Sequence, residues 1–344
     1  MRTVKTLLSD AGGARATGID FSLNGRHLLA STTDDSMYIL DTYSLYHVGT
    51  FDMSTVGIHL ARYTRTDGVV CVAPQRSADG NLYLFNLNAG KLFSAMSLIS
   101  DDVSELVTAG KHPVYTAVAQ SPSSDTIAAL FSPKGRLLLF HPLISGAVAA
   151  SKENAVVGNS GVVSFSPDGE FLVVGDSECV RVFDYRKLFS GPLLKIDGRR
   201  ILSSTDPLRE CRCIGVDVDV GGSRLLITYE GGRVVLYDVR KNVLLGSDTD
   251  VAGNEHYRDS DDAIGARFLS SSTDAFSFCR LTMGEQGTPT VLVYSGCKRR
   301  NYWAELSQSV HCRGGGVPTA AEVCRCHKLM ATAAGEVTLW SFGI

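Results

Sequence analysis

Gly18-Ile19-Asp20-Phe21-Ser22, Leu23-Asn24-Gly25, Leu28-Leu29-Ala30-Ser31-Thr32, Asp34-Asp35 and Met37-Tyr38-Ile39-Leu40-Asp41 follow one another as strand, turn, strand, acidic loop and strand. Short runs rich in β-branched, aromatic and leucine side chains, bounded by Gly, Asn, Asp and Ser, are how β-strands joined by tight turns read. A weaker run near His47 to Phe51 supplies a fourth strand. The third strand of this unit then recurs as Leu82-Tyr83-Leu84-Phe85-Asn86, Leu137-Leu138-Leu139-Phe140-His141, Val180-Arg181-Val182-Phe183-Asp184, Val234-Val235-Leu236-Tyr237-Asp238, Val291-Leu292-Val293-Tyr294-Ser295 and Val337-Thr338-Leu339-Trp340-Ser341. Successive copies lie about 43 to 57 residues apart. Helical periodicity is nearly absent.

A repeat of four short strands at this spacing is the signature of propeller blades, for which WD-type units run roughly 40 to 45 residues. In each copy an aromatic residue or leucine precedes a small polar one, where a WD repeat carries its namesake dipeptide. The dipeptide itself never occurs, and neither does the Gly-His pair that opens such repeats, so the repeats are divergent. The last unit has strands near Ala320 to Cys324, Leu329 to Ala333 and Val337 to Trp340 but no fourth. Thr3 to Leu8 has strand character and can supply it. The expectation is therefore an all-β, seven-bladed WD-type β-propeller closed by its N-terminal strand. It forms one domain over 1–344, with blades near 16–51, 57–96, 115–150, 161–196, 213–247, 263–306 and 318–344 plus 3–8. A ring of this kind leaves only short sheet edges, and its 344 residues exceed what one ordinary core supports. Polar insertions near 97–113, 197–212, 248–262 and 282–289 read as surface loops, where a rigid ring carries its specificity.

The formal charge of −3 argues against a dedicated nucleic-acid surface. No apolar run has signal-peptide or membrane-spanning length. Nine scattered cysteines without framework spacing fit a reducing compartment. The expectation is a soluble intracellular protein.

Candidate chemistry is sparse. Gly175-Asp176-Ser177 superficially resembles a lipolytic nucleophile block, but it falls in the loop between the second and third strands of blade four, without a strand-to-helix elbow. Gly221-Gly222 and Gly314-Gly315-Gly316 lack the helix that anion cradling needs and read as turns. His311-Cys312 with Cys324-Arg325-Cys326-His327 offers soft ligands for zinc, yet its spacing matches no standard finger or knuckle. In the propeller register Cys324 ends a strand while Cys326 and His327 lie in the following turn, so they need not converge. No metal ligand, cofactor or catalytic residue is assigned, and the chain is read as non-enzymatic. Lys298-Arg299-Arg300, the basic stretch Arg199, Arg200, Arg209 and Arg212, and the acidic Asp259 to Asp262 are either solvated or partner contacts.

Gly18 to Asp41, Leu60-Ala61-Arg62-Tyr63-Thr64, Val182-Phe183-Asp184-Tyr185-Arg186 with Ser190-Gly191-Pro192, and Ala331-Thr332-Ala333 through Leu339-Trp340 resemble one branch of the WD-repeat proteins. That branch is the Swd-two type, also known as WD-repeat protein eighty-two. The resemblance runs the length of the chain and is most specific in blades one, two and four. It implies a non-catalytic scaffold subunit of a nuclear complex acting in transcription elongation or termination or in chromatin regulation. The partners it implies are a PNUTS-like targeting subunit with protein phosphatase one, the COMPASS histone methyltransferase, or a polyadenylation factor. Nuclear residence is inherited from the resemblance, with the cytoplasm as alternative.

The strand register places the loops before each first strand and after each second strand on one face. That face is expected to hold the partner through His59, Arg76, Tyr115, Asp176, Tyr229, Glu230 and Arg280, with Tyr115 and Tyr229 as the stronger anchors; the blander reading packs them around the channel. The alternative function is RNA or phosphopeptide binding through the basic 197–212 insertion, which salt would weaken steeply.

Overall fold

A computed structural model describes residues 2–8, 14–75, 80–96, 114–132, 135–142, 148–152, 155–157, 161–202, 212–247, 264–272, 275–283, 288–297, 304–312, 317–334 and 336–342. After β1 (Arg2–Leu8), the strands fall into blades of four. Blade one holds β2 (Ala16–Phe21), β3 (His27–Thr32), β4 (Ser36–Asp41) and β5 (His47–Asp52), and blade two holds β6 (Leu60–Tyr63), β7 (Val69–Ala73), β8 (Leu82–Asn86) and β9 (Lys91–Met96). Blade three is β10 (Val114–Gln120), β11 (Ile127–Ser132), β12 (Arg136–Phe140) and β13 (Val148–Lys152). Blade four is β14 (Val162–Phe165), β15 (Leu172–Gly175), β16 (Cys179–Phe183) and β17 (Leu194–Asp197). Blade five is β18 (Cys213–Val218), β19 (Arg224–Tyr229), β20 (Arg233–Asp238) and β21 (Val243–Ser247). Blade six is β22 (Arg267–Ser271), β23 (Ala275–Met283), β24 (Pro289–Cys297) and β25 (Ala304–His311). Blade seven has only β26 (Pro318–Cys324), β27 (Leu329–Ala334) and β28 (Glu336–Ser341) from its own stretch of chain.

β1 pairs antiparallel with β28, from Arg2 opposite Ser341 to Leu8 opposite Val337, and completes blade seven as its outermost strand. Each first strand contacts the first strand of the next blade, and β26 returns to β2. The seven antiparallel sheets therefore form the closed seven-bladed propeller that the repeats imply. Among the described residues, helix is confined to short turns, and no helix is long and apolar enough to cross a membrane.

Burial explains the strand patterns. Second strands such as Val69–Ala73 and Arg224–Tyr229 are buried at every position, because neighbouring blades cover both faces. Val69–Ala73 accordingly reads as a continuous apolar run rather than an alternating one. The outer β9 alternates exposed and half-buried residues, as a strand with one wet face must.

The core is divided among the seams. Seven apolar clusters each join one blade to the next, for instance Leu29, Met37 and Ile39 of blade one with Ala61, Val70, Val72 and Phe85 of blade two. The seam between blades seven and one is built from small residues: Ala16, Ala30, Ala331 and Ala333 with Ile19, Leu28, Leu40, Val337 and Leu339. Among the described residues it is the one cluster without a buried aromatic side chain. At the seam between blades five and six, a Cβ on Gly215 would overlap the backbone of Gly265, so both positions need glycine for close approach.

In blades one, two, four and five the small polar residue after the third strand caps the following turn. Asp41 Oδ1 accepts from the backbone N–H groups of Tyr43 and Ser44 at 2.9 and 2.7 Å. Asn86, Asp184 and Asp238 do the same for Ala89, Arg186 and Lys241. These are Asx turns, and they account for the polar signature that survives in the absence of the WD dipeptide. The bonds from Ser44 lead in holding the Asp41 carboxyl down at about 2.

Candidate functional site at the channel

The first strands line the ring's axis, and the side chains they turn inward decide what the channel can meet. Asp20 comes from β2, Arg62 from β6, Asp217 from β18, Arg267 from β22 and Glu322 from β26, with Arg325 from the turn after β26. Together they line a cavity of ≈ 330 Å³. Its mouth is framed by the turns between first and second strands, at Leu23, Arg65, Pro122 and Pro167. A second cavity of ≈ 260 Å³ lies toward the other end and shares Arg62, Arg267 and Glu322. The channel thus carries a belt of three carboxylates and three guanidinium groups.

The belt is bonded as well as charged. The N–H of Tyr63 donates to Asp20 Oδ2 at 2.7 Å, and that of Phe268 donates to Asp217 Oδ2 at 2.7 Å. In both cases the donor follows an Ala-Arg pair, Ala61-Arg62 and Ala266-Arg267, so one inter-blade device is used twice. Arg62 Nη1 donates to the carbonyl of Ile19 at 2.8 Å. Arg325 Nη2 meets Asp217 Oδ2 at 2.6 Å, and Arg267 Nε lies 3.5 Å from Glu322 Oε2. Desolvation, against the pull of Arg62, pushes the Asp20 carboxyl up to about 7. The belt's net charge therefore changes near neutral pH. None of these residues is among those the sequence marks as a functional site, although the Ala-Arg-aromatic triplet recurs at Ala61-Arg62-Tyr63 and Ala266-Arg267-Phe268.

The residues expected to hold a partner are placed as follows. Tyr115 is buried against Phe131, and its hydroxyl donates to the carbonyl of Gly80 at 2.6 Å. Tyr229 is buried in the seam between blades four and five. Asp176 is 0% exposed and accepts from the N–H groups of Val157, Glu178 and Cys179 while pairing with Arg181. Arg280 is buried, donates to the carbonyl of Gly232 and lies over the Tyr294 ring. All four are buried, and their contacts are with neighbouring strands and loops rather than with the channel lining. Their strand-end positions look like loops in sequence because burial cannot be read from register alone. His59 is half-buried, which lowers its pKa, and Glu230 lies 4.0 Å from Arg212. Arg76 lies outside the described residues.

Gly175-Asp176-Ser177 is an ordinary turn, with Ser177 Oγ donating to the carbonyl of Val157 at 3.0 Å. Of the basic insertion, 197–202 and Arg212 are described, and Arg200 lies 3.7 Å from Asp197. Lys298 to Arg300, Asp259 to Asp262 and Gly314 to Gly316 lie outside the described residues.

The cysteine-histidine cluster departs from expectation. Cys324, Cys326 and His327 do converge, their ligand atoms lying within 4.8 Å of one another, whereas Cys312 belongs to the apolar seam between blades six and seven. The turn from Cys324 to Lys328 folds back tightly, with Lys328 at φ 54°, and this brings residues from a strand end and a loop together. Burial pushes the Cys324 thiol up to about 12.

Of the large exposed apolar side chains among the described residues, five lie on outer fourth strands (Val48, Phe93, Val243, Leu244 and Leu306) and six stand in loops of one face. Leu23, Tyr43, Tyr46, Phe189, Leu193 and Val220 all stand in turns between first and second or third and fourth strands. Tyr46 is 72%, Phe189 76% and Leu193 71% exposed. On the opposite face the described loops present Val157 and Val317.

No protein-family model matches the chain. The geometry nevertheless makes it a seven-bladed β-propeller consistent with a WD-repeat fold, an architecture commonly used as a protein-interaction scaffold.

Proposed function

We propose that this protein is a non-catalytic scaffold subunit that holds another protein across the face bearing the channel mouth. The concentration of exposed Tyr43, Tyr46, Phe189 and Leu193 in the turns of that face carries the reading. Exposed aromatic and leucine side chains in fixed turns on a rigid ring are suited to act as anchors, since little order is lost when they dock. This moves the proposed contact to the rim opposite the one the strand register favoured. The resemblance noted in the sequence supports a nuclear complex in transcription termination or chromatin regulation, with a phosphatase-targeting subunit or a histone methyltransferase as partner.

The test is gentle purification of the tagged protein from its native cell, with stoichiometric partners identified by mass spectrometry. A protein partner that is recovered with the parent and His59→Ala, and is lost with the double variant Phe189→Asp, Leu193→Asp, is the expected result. Retention in the double variant would return the contact to the other face. Recovery of RNA without a protein partner, lost steeply with salt, would overturn the scaffold reading.

A further inference from the structure

The turn between β26 and β27 places two thiols and an imidazole together at the seam that closes the ring. Cys324 is buried, Cys326 exposed and His327 half-buried. The two sulfurs lie 3.2 Å apart, far beyond the roughly 2.05 Å of a disulfide yet close for thiols that share nothing. His327 Nε2 lies 2.7 Å from the carbonyl oxygen of Asn24 in blade one. With Nε2 donating to that carbonyl, Nδ1 is the ring's acceptor, and the Tyr43 hydroxyl stands 3.1 Å from it, where a metal would take its place. A histidine held through its second nitrogen by a backbone carbonyl is the usual arrangement of a metal ligand. The blade-one turn also covers the cluster closely, for a Cβ on Gly25 would overlap both Cys324 Sγ and the His327 ring. The Tyr43 hydroxyl stands 2.9 Å from His327 Nε2.

We infer that Cys324, Cys326 and His327 form a zinc site in the β26–β27 turn of blade seven, which rests on blade one through His327 Nε2 and the Asn24 carbonyl. Two thiolates and an imidazole are a donor set that zinc favours, and three protein ligands leave its fourth position to water. The turn lies against blade one beside the seam of alanines and aliphatics that, among the described residues, has no buried aromatic. Arg325, between the two cysteines, reaches into the channel to Asp217 at 2.6 Å. A metal fixing the turn therefore also fixes one member of the charged belt. The site stands independently of the scaffold reading.

The test uses the full chain, free of histidine tags, reconstituted with zinc and dialysed. Elemental analysis is expected to find about one zinc per chain, the stoichiometry of a single tetrahedral site. Changes in the surroundings of a metal alone cost about 10–100-fold in affinity, so Cys326→Ser and His327→Gln should each lose at least about tenfold. Cys312→Ser should keep the parent's affinity. Cobalt in place of zinc should give thiolate-to-metal absorption in the parent and not in Cys326→Ser; circular dichroism checks that the variants remain folded. Absence of zinc from the folded parent, equal affinity in all variants, or a parent mass lower by two hydrogens from a Cys324–Cys326 disulfide would each overturn the inference.

Discussion

The seam between blades one and two and the seam between blades five and six use the same aspartate in different electrostatic company. Asp20 and Asp217 each accept the next blade's backbone N–H at 2.7 Å. Asp217 also holds the Arg325 guanidinium at 2.6 Å, whereas the nearby Arg62 directs Nη1 to a carbonyl. The difference teaches that the hydrogen bond is the conserved part of the device within this ring and the ion pair an addition. One seam adds an ion pair to the shared bond, and the other carries a carboxyl whose desolvation raises its pKa to about 7.

The largest effect that would sharpen this contrast is Asp217→Ala, which leaves Arg325 unpaired on the channel wall and the Phe268 N–H without an acceptor. A loss of about 2–4 kcal/mol in urea unfolding is expected, against ~1 kcal/mol for Asp20→Ala at pH 8. Equal losses would break the comparison.

Asp20→Asn tests the other half through pH. The folded-state pKa of Asp20 is about 7, above its unfolded value of 3.8, so between these values the native state holds the extra proton. This group's contribution is best below about pH 4, falls as pH rises to about 7 and is flat above. Asparagine keeps the acceptor for Tyr63 and has no such slope. Because the carboxyl borders channel water, the stability of the parent relative to Asp20→Asn should fall by ~1–2 kcal/mol from pH 4 to 7.5. A pH-independent difference would show that Asp20 is ionised throughout. The smallest effect belongs to Arg26→Ala: Arg26 meets Asp41 at 3.2 Å but is 63% exposed, so about 0.5 kcal/mol or less is expected. If Asp217→Ala cost no more than this, the channel charges would be behaving as surface charges.

The ring was legible in the sequence because strand identity there is a matter of local pattern. Leu82–Asn86 is β8 residue for residue, and Val337–Ser341 falls within β28. Closure was legible too, since a three-stranded last unit and a spare strand at Thr3–Leu8 point to one another. The site was less so. Tyr115 and Tyr229 read as rim anchors, but which side of a strand end faces the neighbouring blade depends on bulges such as those at Tyr115/Ala117 and Cys213/Gly215, which pattern does not reveal. The sequence spacing left open whether Cys324, Cys326 and His327 meet, because a strand end and a turn can point apart; the tight turn ending at Lys328 brings them together.

The pairing of β1 with β28 also sets an order of events during synthesis. Residues 2–8 leave the ribosome well before their partners at 337–341 are made. At about 5–20 residues per second, the first strand waits on the order of half a minute with its edge open. Over that interval the seven-residue strand stays an unpaired edge, the kind of segment that can pair with the wrong neighbour.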